Sequence, residues 1–188
     1  MKKNLVLDID NTLISTVSKT LVDSIKESGQ NIPLHYIIND EIKEMVIYPR
    51  PYLQNFLDFV FQHYNVSIFT AAETNYALYV IQNLILQAKS NRKLDFIMTY
   101  PHYKNCIYLY EKHKYIDYIT SKNSSYTIEN TKILDDSILV AMSNPDNIIK
   151  AEPFEVIKIN RDNTFYLNTE SFTDDYLLRV KNNLRNEL

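Results

Sequence analysis

Two carboxylates, Asp8 and Asp10, end the apolar run Leu5-Val6-Leu7 near the start of this 188-residue chain. Such a run reads as a buried strand. In extended backbone, side chains two positions apart lean to the same side, so both acids can converge on one ligand. Neighbouring like charges are costly unless a cation or a shared proton offsets their repulsion. Taken alone, Asp8-x-Asp10 reads equally well as two solvated loop acids. A second pair, Asp135-Asp136, closes another strand-like run, Thr131-Lys132-Ile133-Leu134, and weighs against that reading. Between the pairs, Val66-Ser67-Ile68-Phe69 ends in the hydroxyl of Thr70. Open α/β sheets bind ligands outside the carboxyl ends of their parallel strands, so three such strand ends point to one shared site. Its chemistry is that of a hard divalent cation: Mg2+ favours oxygen ligands, uses few carboxylates and keeps positions for water and phosphate.

The elements that must position these residues follow from periodicity. After the first strand comes a loop rich in Ser and Thr. Pro33 to Tyr48 reads as a hairpin, with Leu34-His35-Tyr36-Ile37-Ile38, a turn at Asn39-Asp40, and Ile42 to Tyr48. Pro51 opens a helix whose Leu53, Phe56, Leu57 and Val60 recur at helical spacing. The strand to Phe69 precedes a helix from Glu73 to Lys89, with Tyr76, Val80, Leu84 and Ala88 on one face. Leu94 to Met98 and Cys106 to Tyr110 are strand candidates, and a helical turn at Tyr115 to Ile119 leads into the polar loop Thr120 to Ser125. Val156-Ile157-Lys158-Ile159 reads as a further strand, and Thr173 is suited to cap the last helix. Strands alternating with helices predict an α/β fold: a Rossmann-like, mostly parallel central sheet flanked by helices. A small β-hairpin insertion, no large cap domain and one domain over residues 1–188 complete the expectation.

Composition excludes several other chemistries. Gly29 is the sole glycine, whereas phosphate loops and dinucleotide fingerprints need several for close backbone approach. Leu13 stands where a calcium loop beginning at Asp8 needs its turn glycine. Cys106 is the only cysteine, which rules out an intramolecular disulfide and reads as a packed core thiol. None of His35, His63, His102 and His113 has metal-ligand spacing. A formal net charge of −3 gives no global attraction to nucleic acid or to an anionic membrane. The first apolar run stops at Asp8, too soon for a signal peptide, and no stretch approaches a membrane span. The expected location is intracellular, in cytoplasm or nucleus. Abundant Asn, Ile, Lys and Tyr resemble the coding bias of an AT-rich genome, such as a viral or protist one.

Asp8-Ile9-Asp10-Asn11-Thr12-Leu13 is followed in order by Tyr48-Pro49-Arg50-Pro51, Phe69-Thr70-Ala71-Ala72 with Tyr76-Ala77, Ile133-Leu134-Asp135-Asp136-Ser137, and Phe172-Thr173-Asp174-Asp175. Together these segments resemble the haloacid dehalogenase superfamily, and most of all its branch of C-terminal-domain phosphatases, which dephosphorylate the tail of RNA polymerase II. Asn11 stands where that branch usually has Glu, and the branch's lysine motif is not clear.

The resemblance implies a Mg2+-dependent phosphatase acting on phosphoserine or phosphothreonine in proteins through an aspartyl-phosphate. Asp8 would be nucleophile and metal ligand, and Asp10 the proton donor and later the base, with its backbone carbonyl facing the metal. Asp135 and Asp136 would complete the metal shell. Thr70 would hydrogen-bond the phosphoryl group beside adjacent backbone donors, placing Ala71 and Thr12 with the substrate-binding residues. A lysine should neutralise the transferring group: Lys114 is the first choice, Lys122 the alternative and Lys112 the third. Arg50 would bind phosphate or the peptide backbone, or else serve as a turn residue paired with an acid. Tyr100, Tyr103, Tyr108 and Tyr110 cluster where the related branch contacts its peptide, although ordinary packing accounts for any single one. A nucleic-acid or small-molecule phosphatase on the same core, and a non-catalytic phosphopeptide-binding module, are the alternatives. No membrane partner is expected, and the oligomeric state is left open.

Overall fold

Leu5, Val6 and Leu7 are completely buried, as a strand covered on both faces requires. They belong to β1 (Asn4–Leu7) of a computed structural model that describes residues 2–30, 32, 36–39, 44–89, 91–162 and 164–188. Next come β2 (Ile14–Ser18), α1 (Lys19–Glu27), β3 (Tyr36–Asn39), β4 (Glu44–Pro49), α2 (Leu53–His63) and β5 (Asn65–Phe69). α3 (Thr74–Val80) continues into a π-helical segment, Ile81–Leu86, before β6 (Leu94–Met98) and α4 (Tyr100–Tyr110). α5 (Ile116–Lys122), β7 (Thr131–Asp135), α6 (Ile138–Ser143) and β8 (Ile148–Lys150) lead to β9 (Ile157–Ile159) and β10 (Phe165–Leu167). A 3-10 turn, Thr169–Thr173, and α7 (Tyr176–Asn186) end the chain.

The central sheet runs β6-β5-β1-β7-β8, and every neighbouring pair is parallel. Side chains of β1 alternate between its faces. Leu5 and Leu7 pack with Phe56, Leu57 and Val60 of α2 and Leu177 and Val180 of α7. Val6 packs on the other side with Cys106, Ile116, Ile119 and Val140. Helices therefore cover both faces, which is the expected α/β architecture. β1, β5 and β7 are adjacent, so their carboxyl ends deliver Asp8, Thr70 and Asp136 to one edge.

The insertion between β1 and α2 is larger than a hairpin. The Ser/Thr-rich segment read as a loop is β2 and α1, and β2 joins β4 and β3 in an antiparallel sheet. Its polar residues fit because one side of the strand is exposed: Ser15 and Val17 are buried while Thr16 and Ser18 are partly open. The β3–β4 pairing runs from Tyr36↔Ile47 to Asn39↔Glu44. Pro33, Leu34, His35, Asp40 and Ile42, to which the expected hairpin also extended, lie outside the described residues.

Two other assignments change. Cys106 to Tyr110, expected as a strand, lies in helix α4. There Tyr103, Cys106, Ile107 and Tyr110 turn inward at helical spacing while Tyr108 and Leu109 are exposed. Pro101 in the first turn and His102 Nδ1, which accepts from Thr99 N at 3.3 Å, start that helix. The edge of the central sheet beside β7 is taken by β8, and the expected strand at Ile157–Ile159 is present and pairs with β10. The last helix is not capped by Thr173, whose hydroxyl donates to Glu170 O within the 3-10 turn. Asp174 Oδ1 accepts from Tyr176 N at 2.7 Å and starts α7 in its place. Cys106 is fully buried, and burial pushes its thiol upward, as a core cysteine should behave.

Candidate active site

Asp8 follows β1 directly, and its backbone N–H donates to Leu134 O of β7 at 3.0 Å. The sheet thereby draws the two acidic strand ends together. Asp8, Asp135 and Asp136 each offer a carboxylate oxygen within 4.8 Å of the others. Between two of them lies the ammonium of Lys114, 2.6 Å from Asp8 Oδ1 and 2.6 Å from Asp135 Oδ2. Lys114 is only 4% exposed and adopts a left-handed backbone conformation, φ 44°, after the exposed turn that ends α4. A non-glycine residue there carries strain. Asn144 helps to hold it, donating to Lys114 O at 3.3 Å.

These groups line a cavity of about 310 Å³ with Asp10, Thr70 and Ala71. The Thr70 hydroxyl accepts from Ala72 N at 3.1 Å, closing its own turn, and keeps its proton for a ligand. Tyr103, one of the four clustered tyrosines, and Ser137 of the second acidic motif also line the cavity, with Val140, which nothing in the sequence pattern singled out. Tyr103 reaches it from α4 with its hydroxyl 2.7 Å from His113 Nδ1.

The Asp10 carboxylate stands apart from the three-carboxylate cluster, which leaves that side chain for the proton and only its backbone carbonyl for the metal. Its Oδ1 accepts instead from the phenol of Tyr76 on α3. Burial raises the Asp10 pKa to about 6, Tyr76 draws it down, and the charge of Asp8 raises it. The Tyr76 phenol is held well above its ordinary value, by burial first and then by Asp10, and remains a donor. Asp135 and Asp136 are both raised, by burial first and then by Asp8. Burial acts to lower Lys114, but Asp8 and Asp135 outweigh it and keep the ammonium charged.

Thr12 and Arg50, expected to bind substrate, sit behind the cavity. Thr12 is fully buried; its hydroxyl donates towards Asp8 Oδ2 (3.2 Å) or Asp136 Oδ1 (3.1 Å) and accepts from Asp136 N at 3.0 Å. It ties one acidic loop to the other. The Arg50 guanidinium is taken by Asp174 Oδ2, 2.7 Å from Nη2, and by Thr12 O, 3.1 Å from Nη1. Tyr176 stacks beneath it at 4.4 Å. At 2% exposure Arg50 braces the Asp8–Thr12 loop and does not face the cavity. Lys112 lies over the ring of Tyr115 and Lys122 over that of Tyr118, both exposed and outside the cavity lining. Asn11 adopts φ 57°, a left-handed turn that Asn enters more readily than most residues.

Hard oxygen donors fit Mg2+. Three carboxylates against one ammonium leave two negative charges, which a divalent cation would neutralise. Asp8, Asp135 and Asp136 are the residues that would hold it, and it would supply charge compensation for phosphate oxygens at that end of the cavity.

A parallel sheet with an acidic cluster at its carboxyl edge is the arrangement of a haloacid dehalogenase-type phosphatase. The sequence matches the NLI interacting factor-like phosphatase family over residues 3–185, and the chain belongs to that family. It is 30% identical over 191 residues to CTD phosphatase-like protein 355R of Invertebrate iridescent virus 6, covering 99% of each chain. It is also 30% identical to Nuclear envelope morphology protein 1 of Saccharomyces cerevisiae over 159 residues, or 80% of this chain and 34% of that one. The fold resembles fission yeast RNA polymerase II CTD phosphatase Fcp1 bound to beryllium fluoride, with TM-score 0.60 and 19% identity. That match covers 82% of this chain and 42% of the Fcp1 chain, so this chain spans less than half of it. Among the described residues, no helix is long and apolar enough to cross a membrane.

Proposed function

We propose that this chain, acting as a single domain over residues 1–188, is a Mg2+-dependent phosphatase that hydrolyses phosphoserine or phosphothreonine in protein substrates. The observation that carries the reading is the meeting of Asp8, Lys114, Asp135 and Asp136 in one cavity, beside Thr70 and Asp10. Phosphate-monoester hydrolysis is among the slowest uncatalysed reactions, and a covalent intermediate divides it into two easier steps. A carboxylate oxygen of Asp8 forms a bond to phosphorus as the bond from phosphorus to the seryl or threonyl oxygen breaks. Asp10 gives that oxygen a proton, then takes one from the water that releases phosphate from Asp8. Lys114 compensates the charge spread over the phosphoryl oxygens, and the Thr70 hydroxyl with the Ala71 turn orients them.

The protein substrate is supported by an exposed rim and a short segment after α3. Ala71 at its rim is exposed. Among the described residues between Lys89 and Lys114 there are one strand and one helix, too little for a lid with its own core. The names of the viral relatives and of Fcp1 point the same way. The test is turnover of phosphoserine and phosphothreonine peptides, mononucleotides, a DNA 3′-phosphate and sugar phosphates, each with Mg2+ or a chelator. Phosphopeptides should give the highest kcat/KM, with loss in chelator. A mononucleotide or DNA 3′-phosphate preferred by a wide margin would overturn the protein substrate and retain the catalytic core. Phosphopeptide binding without turnover would mark a binding module.

A further inference from the structure

We infer that Tyr76, backed by Thr16, is a positioning residue for Asp10, and that it selects which carboxylate oxygen of Asp10 delivers the proton to the leaving group. This rests on the catalytic reading proposed above and adds residues that the reading leaves unused. The Tyr76 phenol donates to Asp10 Oδ1 at 2.5 Å, and its oxygen lies 2.6 Å from Thr16 Oγ1. Tyr76 has one proton, and the carboxylate takes it, so Thr16 must be the donor in the second bond. The chain of bonds therefore runs from Thr16 to Tyr76 to Asp10 with a single direction.

Each link comes from a different element. Thr16 stands in β2, paired with Ile47 of β4, and Tyr76 stands in α3. Asp10 lies in the loop after β1, where an isolated bridge joins it to Ile14 at the start of β2. The antiparallel insertion thus has a mechanical role at the active site. A free Asp side chain rotates about two bonds and presents either oxygen; anchoring Oδ1 removes that freedom. The proton then resides on Oδ2, the oxygen that can turn to the leaving group. When the phosphorus–oxygen bond breaks, its electron pair goes to the seryl or threonyl oxygen, which takes the proton from Oδ2, while the bond from Tyr76 to Oδ1 persists. In the second step Oδ2 takes a proton from water, and the cycle closes without Tyr76 changing its own proton. Such holding is what converts a nearby acid into an oriented one.

Leaving groups of different basicity test the idea. A seryl oxygen needs a proton as it departs, whereas p-nitrophenolate leaves well without one. kcat/KM reports events through the first irreversible step, so the later hydrolysis of the aspartyl-phosphate does not obscure the comparison. Tyr76→Phe keeps the ring and removes the hydroxyl. It should lower kcat/KM for a phosphoserine peptide about ten- to a hundredfold more than for p-nitrophenyl phosphate, the loss of one charge-assisted hydrogen bond. Thr16→Val should show the same bias at smaller size, and Thr16→Ser should restore wild-type behaviour. Equal losses on both substrates in Tyr76→Phe and Thr16→Val would overturn the inference and leave a packing role. If Tyr76→Phe does not fold, the Thr16 pair decides alone: a bias in Thr16→Val that Thr16→Ser repairs supports it, and no bias overturns it. Asp10→Asn separates this from the underlying reading. A larger bias of the same sign there, with none in Tyr76→Phe, sinks only the positioning role; no bias in Asp10→Asn sinks the acid assignment itself.

Discussion

Replacing Lys114 with Met removes the only ammonium that lines the cavity among the described residues while keeping much of its volume, so the change is chiefly one of charge. Its Nζ lies 2.6 Å from Asp8 and 2.6 Å from Asp135, and the three side chains are 4%, 8% and 0% exposed. Removing one partner of a buried pair costs about 3–5 kcal/mol, because the other charge is left without compensation. The metal-free protein can relieve this by protonating a carboxylate of the cluster, and Asp135, fully buried against Lys114, is the readiest. In the folded chain that carboxyl is already raised, by burial first and then by Asp8, and loss of Lys114 raises it further. A carboxyl raised above its unfolded value of about 3.9 is harmless below that pH and destabilises increasingly as pH climbs towards the folded value. Taking up the proton costs at most ~1.4 kcal/mol per pH unit above 3.9, which is roughly 2 kcal/mol at pH 5.5 and over 5 at pH 8. The deficit of Lys114→Met in chelator should therefore be about 3–5 kcal/mol at pH 8 and shrink to roughly 2 kcal/mol at pH 5.5. The chain has no Trp, so urea unfolding is followed by far-UV circular dichroism, comparing midpoints at constant m. Lys112→Ala and Lys122→Ala, which lose only exposed ring contacts, should stay within about 1 kcal/mol at both pH values. A Lys114→Met deficit that does not grow with pH, or one matched by either control, would refute the assignment of the ammonium as the buried counter-charge.

Asp8→Asn should abolish turnover and keep the fold, because an amide cannot form the aspartyl-phosphate. Beryllium fluoride should raise the Tm of the wild type and not of this variant, and appreciable residual turnover would exclude the covalent route. Arg50→Lys should lower stability by roughly 2–3 kcal/mol, since one ammonium cannot replace the guanidinium bonds to both Asp174 and Thr12 O. Its KM should hold near wild type; a raised KM at unchanged stability would instead place Arg50 against substrate.

The α/β class was legible because it depends on local pattern. Leu5-Val6-Leu7 and Ile133-Leu134 are short apolar runs of the kind a doubly covered strand buries, and each is followed at once by acids. The position of Asp8, Thr70, Asp135 and Asp136 as candidates followed from that adjacency, since parallel strands deliver their ends to one edge. Where periods conflicted, sequence was weaker. Cys106 to Tyr110 is apolar enough for a strand, and only the start at Thr99 to His102 and the inward face of Tyr103, Cys106 and Tyr110 make it helical. Direction of a side chain was not legible at all. Resemblance ranked Lys114 ahead of Lys122 and Lys112, but it is the left-handed turn at Lys114 that aims its ammonium between two acids. Arg50 has the chemistry of a phosphate ligand, but Asp174 of a distant segment takes its guanidinium first. Tyr76 sits on the same apolar helical pattern as its core neighbours, yet its hydroxyl meets an acid 66 positions away in the chain. Sequence determines which strand ends carry oxygen; the packing of β2, α3 and α7 around them decides which donors reach it, because a side chain points where its neighbours leave room.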